Sequence, residues 1–72
     1  MRILFVSHSK NASQTVITVM HGAKEFPQQQ NYETYLYNED GQQELWTTAT
    51  NCADAVMYHK SLCEKCGIRL NM

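Results

Sequence analysis

An excess of either charge is what this sequence most plainly lacks. Six basic residues stand against seven acidic ones, a formal net charge of −1. That balance excludes a strongly basic nucleic-acid binder and a highly acidic mimic of DNA. Charged residues of both signs make up only 18% of the chain, against roughly 25% in an average globular domain. No apolar run approaches the roughly 18 residues that a membrane span requires. The opening stretch Met1 to His8 has too few apolar residues for a signal-peptide core, so the expected location is cytosolic. Cysteine is scarce and odd in number, at three. That argues against a disulfide scaffold and fits free thiols in a reducing compartment.

What is present suits one small domain spanning residues 1–72. At 43% hydrophobic residues, wholesale disorder is excluded. A chain of this length buries only roughly 60% of the surface it exposes when unfolded, which leaves a thin margin of stability. Arg2 to His8 reads as a strand. Its run Ile3-Leu4-Phe5-Val6 does not alternate with polar residues, which points to a central strand covered on both faces. Ser9 to Ser13 reads as a turn, and its match to a glycosylation sequon at Asn11 carries no weight without a secretory signal. Gln14 to His21 holds Thr15-Val16-Ile17-Thr18-Val19, whose branched side chains favour a strand over a helix. Gly22 and Pro27 bracket a loop, and Gln28-Gln29-Gln30-Asn31 extends it as a surface connection.

Tyr32 to Thr50 carries the clearest local signal. Asp40-Gly41 is a preferred two-residue hairpin turn. It would set Leu36 opposite Leu45, Tyr35 opposite Trp46 and Thr34 opposite Thr47. Tyr35, Tyr37, Glu44 and Trp46 would then share one face, and Thr34, Leu36, Leu45 and Thr47 the other. The alternative register sets Leu36 against Glu44 and is less favourable on that pair. Asn51 caps a helix running from about Cys52 to about Lys65, with Asp54 in its first turn and Gly67 as its left-handed terminator. Its buried stripe reads Cys52, Ala55, Val56, His59, Leu62, Cys63 and Cys66. Ile68-Arg69-Leu70 could add a last short strand. The expected fold is α+β, a small antiparallel sheet of four or five strands with one C-terminal helix packed on a face.

Several residue patterns bear on chemistry. Cys63-Glu64-Lys65-Cys66-Gly67 has the shape of a zinc knuckle, and His59 lies one turn from Cys63. A structural site needs a fourth ligand, and Cys52 is too far along the helix to supply it, leaving only His8 or His21. The competing reading makes these thiols small apolar core residues. A redox role is disfavoured, because the Cys-x-x-Cys pair closes a helix, where carbonyl dipoles oppose thiolate. No nucleophile–base–orienter set is visible, so no catalytic residue and no cofactor are expected. His59 reads as a core or boundary histidine, while His8 and His21 end the first two strands. The aromatic set Tyr35, Tyr37 and Trp46 is the candidate partner-binding surface, if the helix covers the opposite face. Base stacking on these rings is disfavoured, because Glu33, Glu39, Asp40 and Glu44 crowd the same hairpin.

The short opening strand, the hairpin, and Trp46-Thr47-Thr48-Ala49-Thr50-Asn51-Cys52-Ala53-Asp54-Ala55-Val56 leading into one helix resemble very short bacteriophage accessory proteins. These include antitoxins, anti-restriction and anti-CRISPR factors, and polymerase modulators. The resemblance is one of size and pattern and transfers no site residue. It implies a non-catalytic module that regulates or inhibits a host protein by binding it. A small nucleic-acid-associated or zinc-stabilised regulator is the alternative. Another protein is the expected partner, pairing with a second copy is possible, and neither nucleic acid nor membrane is expected.

Overall fold

Four strands form one antiparallel sheet in which every neighbour in sequence is a neighbour in space: β1 (Arg2–His8), β2 (Gln14–His21), β3 (Asn31–Asn38) and β4 (Gln43–Ala49). A single helix, α1 (Cys52–Cys66), crosses β2, β3 and β4 on one face. This computed structural model describes residues 2–10, 13–22 and 31–70. Pro27, Gln28 to Gln30 and the Asn11-Ala12 part of the first turn lie outside the described residues. The fold is α+β with four strands and one C-terminal helix, and no helix among the described residues is long and apolar enough to cross a membrane.

The helix is bounded as its sequence indicates. The Asn51 side chain accepts the Asp54 amide at 2.8 Å, and its own amide group donates to the Asp54 carboxylate at 2.9 Å. Two polar groups at the helix start are thereby satisfied together. At the far end Gly67 adopts φ +67°. The Gly67 amide donates to the Glu64 carbonyl, and the Ile68 amide donates to the Cys63 carbonyl at 2.8 Å. This is a Schellman motif, whose usual hydrophobic contact is made here by Ile68 against Cys63. Ile68 to Leu70 therefore form no fifth strand. The motif turns Ile68 inward beneath the helix end, where it is buried.

Two further expectations need correction. β1 is an edge strand, not a central one. The β3–β4 hairpin also adopts the register that pair counting disfavoured. Gly41 donates to the Asn38 carbonyl at 2.9 Å, and the Asn38 amide donates to the Gln42 carbonyl at 2.9 Å. These bonds enclose a three-residue loop, Glu39-Asp40-Gly41, with Gly41 at φ +84° and Asp40 Oδ1 holding the Gln42 amide. Leu36 consequently faces Glu44, and Tyr35 faces Leu45. A bulge at Trp46 then restores the expected Thr34–Thr47 pair. The bulge places Trp46 on the helix side, with Leu36 and Leu62, while Leu45 moves to the opposite face.

Partnered residues in antiparallel strands share a face, so the helix side of the sheet can be read as rows. Ser7, Val16 and Leu36 underlie one apolar cluster with Leu62, Cys63 and Ile68. Met20, Tyr32 and Ala49 underlie a second, with Leu4, Ala55 and Tyr58. Between them runs a row of Phe5, Thr18, Thr34 and Thr47. Gly41 is the residue on which the hairpin register turns, and a Cβ there would meet nothing within 4 Å. Gly41→Val is therefore expected to destabilise by more than about 1 kcal/mol through backbone strain alone. The chemical-denaturation midpoint checks this, and an unchanged midpoint would discount the left-handed turn.

Candidate interaction surface

Two arrangements attract functional attention, and they lie on opposite sides of the sheet. The first is sealed beneath α1. His59 Nε2 is 2.9 Å from Ser7 Oγ, and its Nδ1 is 2.8 Å from Thr18 Oγ1. Thr18 Oγ1 is in turn 3.0 Å from Thr34 Oγ1, and Ser7 also hydrogen-bonds the Cys63 thiol. The Phe5 ring meets the imidazole edge-on, with centroids 5.7 Å apart. A neutral imidazole offers one donor and one acceptor, and a hydroxyl can serve as either, so the chain can satisfy itself. Burial lowers the His59 pKa from its ordinary value and raises that of Cys63.

A serine beside a histidine invites comparison with a nucleophile and its base. Here Ser7 and His59 have no solvent exposure at all, and the third group is a hydroxyl where an orienting carboxylate would be needed. The same geometry bears on the zinc reading. Both His59 nitrogens are committed to hydroxyls, and Cys63 is buried against Val16, Leu62 and Ile68. The described residues contain no group of three or more His, Cys, Asp or Glu arranged to hold a metal ion. His8 and His21 stand at opposite ends of the β1–β2 ladder.

The second arrangement is the helix-free face of the sheet. One row crosses all four strands: Val6, Ile17, Tyr35 and Leu45. On one side of it lie His8, Thr15, Tyr37 and Gln43, and on the other Ile3, Val19, Glu33 and Thr48. Ile3 is 56% exposed and Leu45 49%. The Tyr35 and Tyr37 rings are 6.5 Å apart and tilted. The Tyr35 hydroxyl donates to Glu33 Oε2 at 3.0 Å, and Glu33 Oε1 meets His21 Nε2. That hydrogen bond, with smaller effects of burial and neighbouring charge, raises the Tyr35 pKa. Among the described residues this face carries no lysine or arginine.

The expected aromatic trio is thus divided. Tyr35 and Tyr37 share the open face, whereas Trp46, 36% exposed, lines a cleft of about 490 Å³ at the end of the helix. Leu36, Leu62, Lys65 and Glu44 border that cleft with it. Pair counting missed Ile17 and Leu45 as members of the open face. The signal available for Ile17 was the absence of apolar–polar alternation in β2, whereas the face of Leu45 on β4 followed from the hairpin register. Comparison with protein-family models, curated proteins and solved structures finds no match to this chain.

The buried histidine has measurable consequences. Thr18→Val keeps the shape but leaves His59 Nδ1 and Thr34 without a partner, at an expected cost of about 1–3 kcal/mol. Stability should also depend on pH. An unfolded histidine takes up its proton near pH 6.5, whereas His59 in the fold does so only at lower pH. Between these points the unfolded state binds more protons. The contribution of His59 is therefore complete above about pH 6.5 and is lost as pH falls through the folded-state value. Urea midpoints between neutral and mildly acidic pH, compared with those of His59→Gln, should show this increment vanish in the variant.

Proposed function

We propose that this chain is a non-catalytic protein-binding module, a small regulator or inhibitor of the bacteriophage accessory type that acts by docking on another protein. The observation that carries the reading is the helix-free face. A sheet that turns apolar residues to both sides, with a helix over only one, leaves the other suited to contact. Tyr35 and Tyr37 stand on that face, and Trp46 stands at the cleft behind it. Tyrosine and tryptophan are the residue types that most often dominate binding energy. Among the described residues the face carries no lysine or arginine, which favours protein over phosphate as its partner. The Ser7–His59 pair supports contact rather than catalysis, because no substrate reaches it in this fold.

The test uses the chain as bait against host proteins, with Tyr35→Ala/Tyr37→Ala and Trp46→Ala measured beside it. Circular dichroism first establishes that each variant keeps the wild-type fold. At least one variant is expected to lose about 2 kcal/mol or more of affinity for the captured partner, as a hot-spot residue does. Binding that neither variant weakens would overturn these residues as the contact.

A further inference from the structure

We infer that Cys63 and Cys66, one turn apart at the end of α1, form a site for a single monovalent copper ion held between two thiolate sulfurs. The inference stands apart from the reading of the sheet as a contact surface, and neither depends on the other. Three observations lead to it.

The first is placement. The two cysteines are three residues apart in a helix that continues through Cys66, so their side chains lie on one face. Both belong to the same apolar cluster, with Cys63 buried in it and Cys66 packed against it. Side chains at this spacing have Cβ atoms about 5–6 Å apart. A disulfide needs about 3.5–4.5 Å, so the intact helix disfavours a direct bond between the sulfurs. Metal–thiolate bonds of about 2.3 Å hold two sulfurs up to about 4.6 Å apart with the ion between them. That span suits the pair without unwinding the last turn.

The second is the number of ligands. His59, one turn before Cys63, has both nitrogens engaged by Ser7 and Thr18. Among the described residues no third histidine, cysteine, aspartate or glutamate joins the two thiols. A structural zinc ion takes four ligands and would be left short. Monovalent copper is a soft ion that thiolates select, and its filled d shell is satisfied by two of them in line. The ligand count therefore chooses the ion.

The third is the surroundings. Cys66 borders the cleft shared with Trp46 and Lys65, which gives an ion a path from solvent to the first sulfur. The Ser7 hydroxyl hydrogen-bonds the Cys63 sulfur, a contact that favours thiolate and orients a ligand. The Gly67 and Ile68 amides cap the Glu64 and Cys63 carbonyls, which lessens the opposition of the helix end to negative charge. Two thiolates and one monovalent ion carry a single negative charge, and Lys65 lies in the same turn to offset it. Binding makes two copper–sulfur bonds, breaks two S–H bonds and releases two protons to solvent, with no change in oxidation state.

The test titrates the full chain, carrying Cys52→Ser to remove the remaining thiol, with monovalent copper in anaerobic ascorbate buffer. Bicinchoninate serves as a coloured competitor for the ion. One copper per chain is expected to leave the competitor, with quenching of Trp46 fluorescence across the shared cleft. Cys66 is only half-buried, so Cys66→Ser on that background is expected to keep the circular dichroism of the fold. It should weaken copper binding by roughly 100-fold or more. X-ray absorption at the copper edge should show two sulfur neighbours and no nitrogen. Failure to take copper from the competitor overturns the inference. So does binding that Cys66→Ser leaves intact, a third ligand in the absorption spectrum, or zinc held as tightly as copper.

Discussion

A neutral histidine with no solvent exposure must find partners for two ring nitrogens, and here the partners come from two different strands. Ser7 on β1 holds one side of the His59 imidazole and Thr18 on β2 holds the other. The apolar clusters at either end of the helix are non-directional and would tolerate a shift of α1 along the sheet. The two hydrogen bonds would not, since moving the helix by one turn strands a buried imidazole and two hydroxyls. The polar row therefore fixes where the helix lies, while the flanking clusters supply most of the burial. It also explains three threonines in the middle of the sheet: Thr18 and Thr34 extend the hydrogen-bonded chain, and Thr47 completes the row.

The two bulges complement one another. Each edge strand carries one residue more than its partner requires, and each extra residue is apolar and lies on the helix side. Leu4 packs with Tyr32, Ala49 and Ala55 at one end, and Trp46 lies with Leu36 and Leu62 at the other. A helix alone is narrower than a four-stranded sheet, and these additions widen the covered area at opposite edges. The same geometry makes both edges poor templates for strand addition. The helix-free face carries the exposed apolar residues Ile3 and Leu45.

That arrangement separates two kinds of chemistry that the sequence mingles. The groups capable of proton or nucleophile chemistry, Ser7, His59 and Cys63, are enclosed, and burial shifts the latter two toward their neutral forms. The groups suited to contact, Ile3, Ile17, Tyr35, Tyr37 and Leu45, are turned outward.

By itself, the sequence determined the elements and their ends. Branched residues specified β2, Asn51 and Asp54 opened α1, and Gly67 closed it, because each of these preferences is satisfied within a few residues of chain. It also determined that β1 is apolar on both sides. What that meant was decided by tertiary structure, since a strand read in isolation cannot distinguish a central position from an edge whose outer face no helix covers. The hairpin register was likewise a tertiary outcome. Counting pairs favoured Leu36 against Leu45, but one slip and one bulge together brought Trp46 over the helix end and turned Leu45 outward. The side chain period of a strand is two, so a displacement of one residue reverses every face it touches. For that reason Tyr35 and Tyr37 were legible as a pair, while the position of Trp46 and the partners of His59 depended on contacts made across the whole fold.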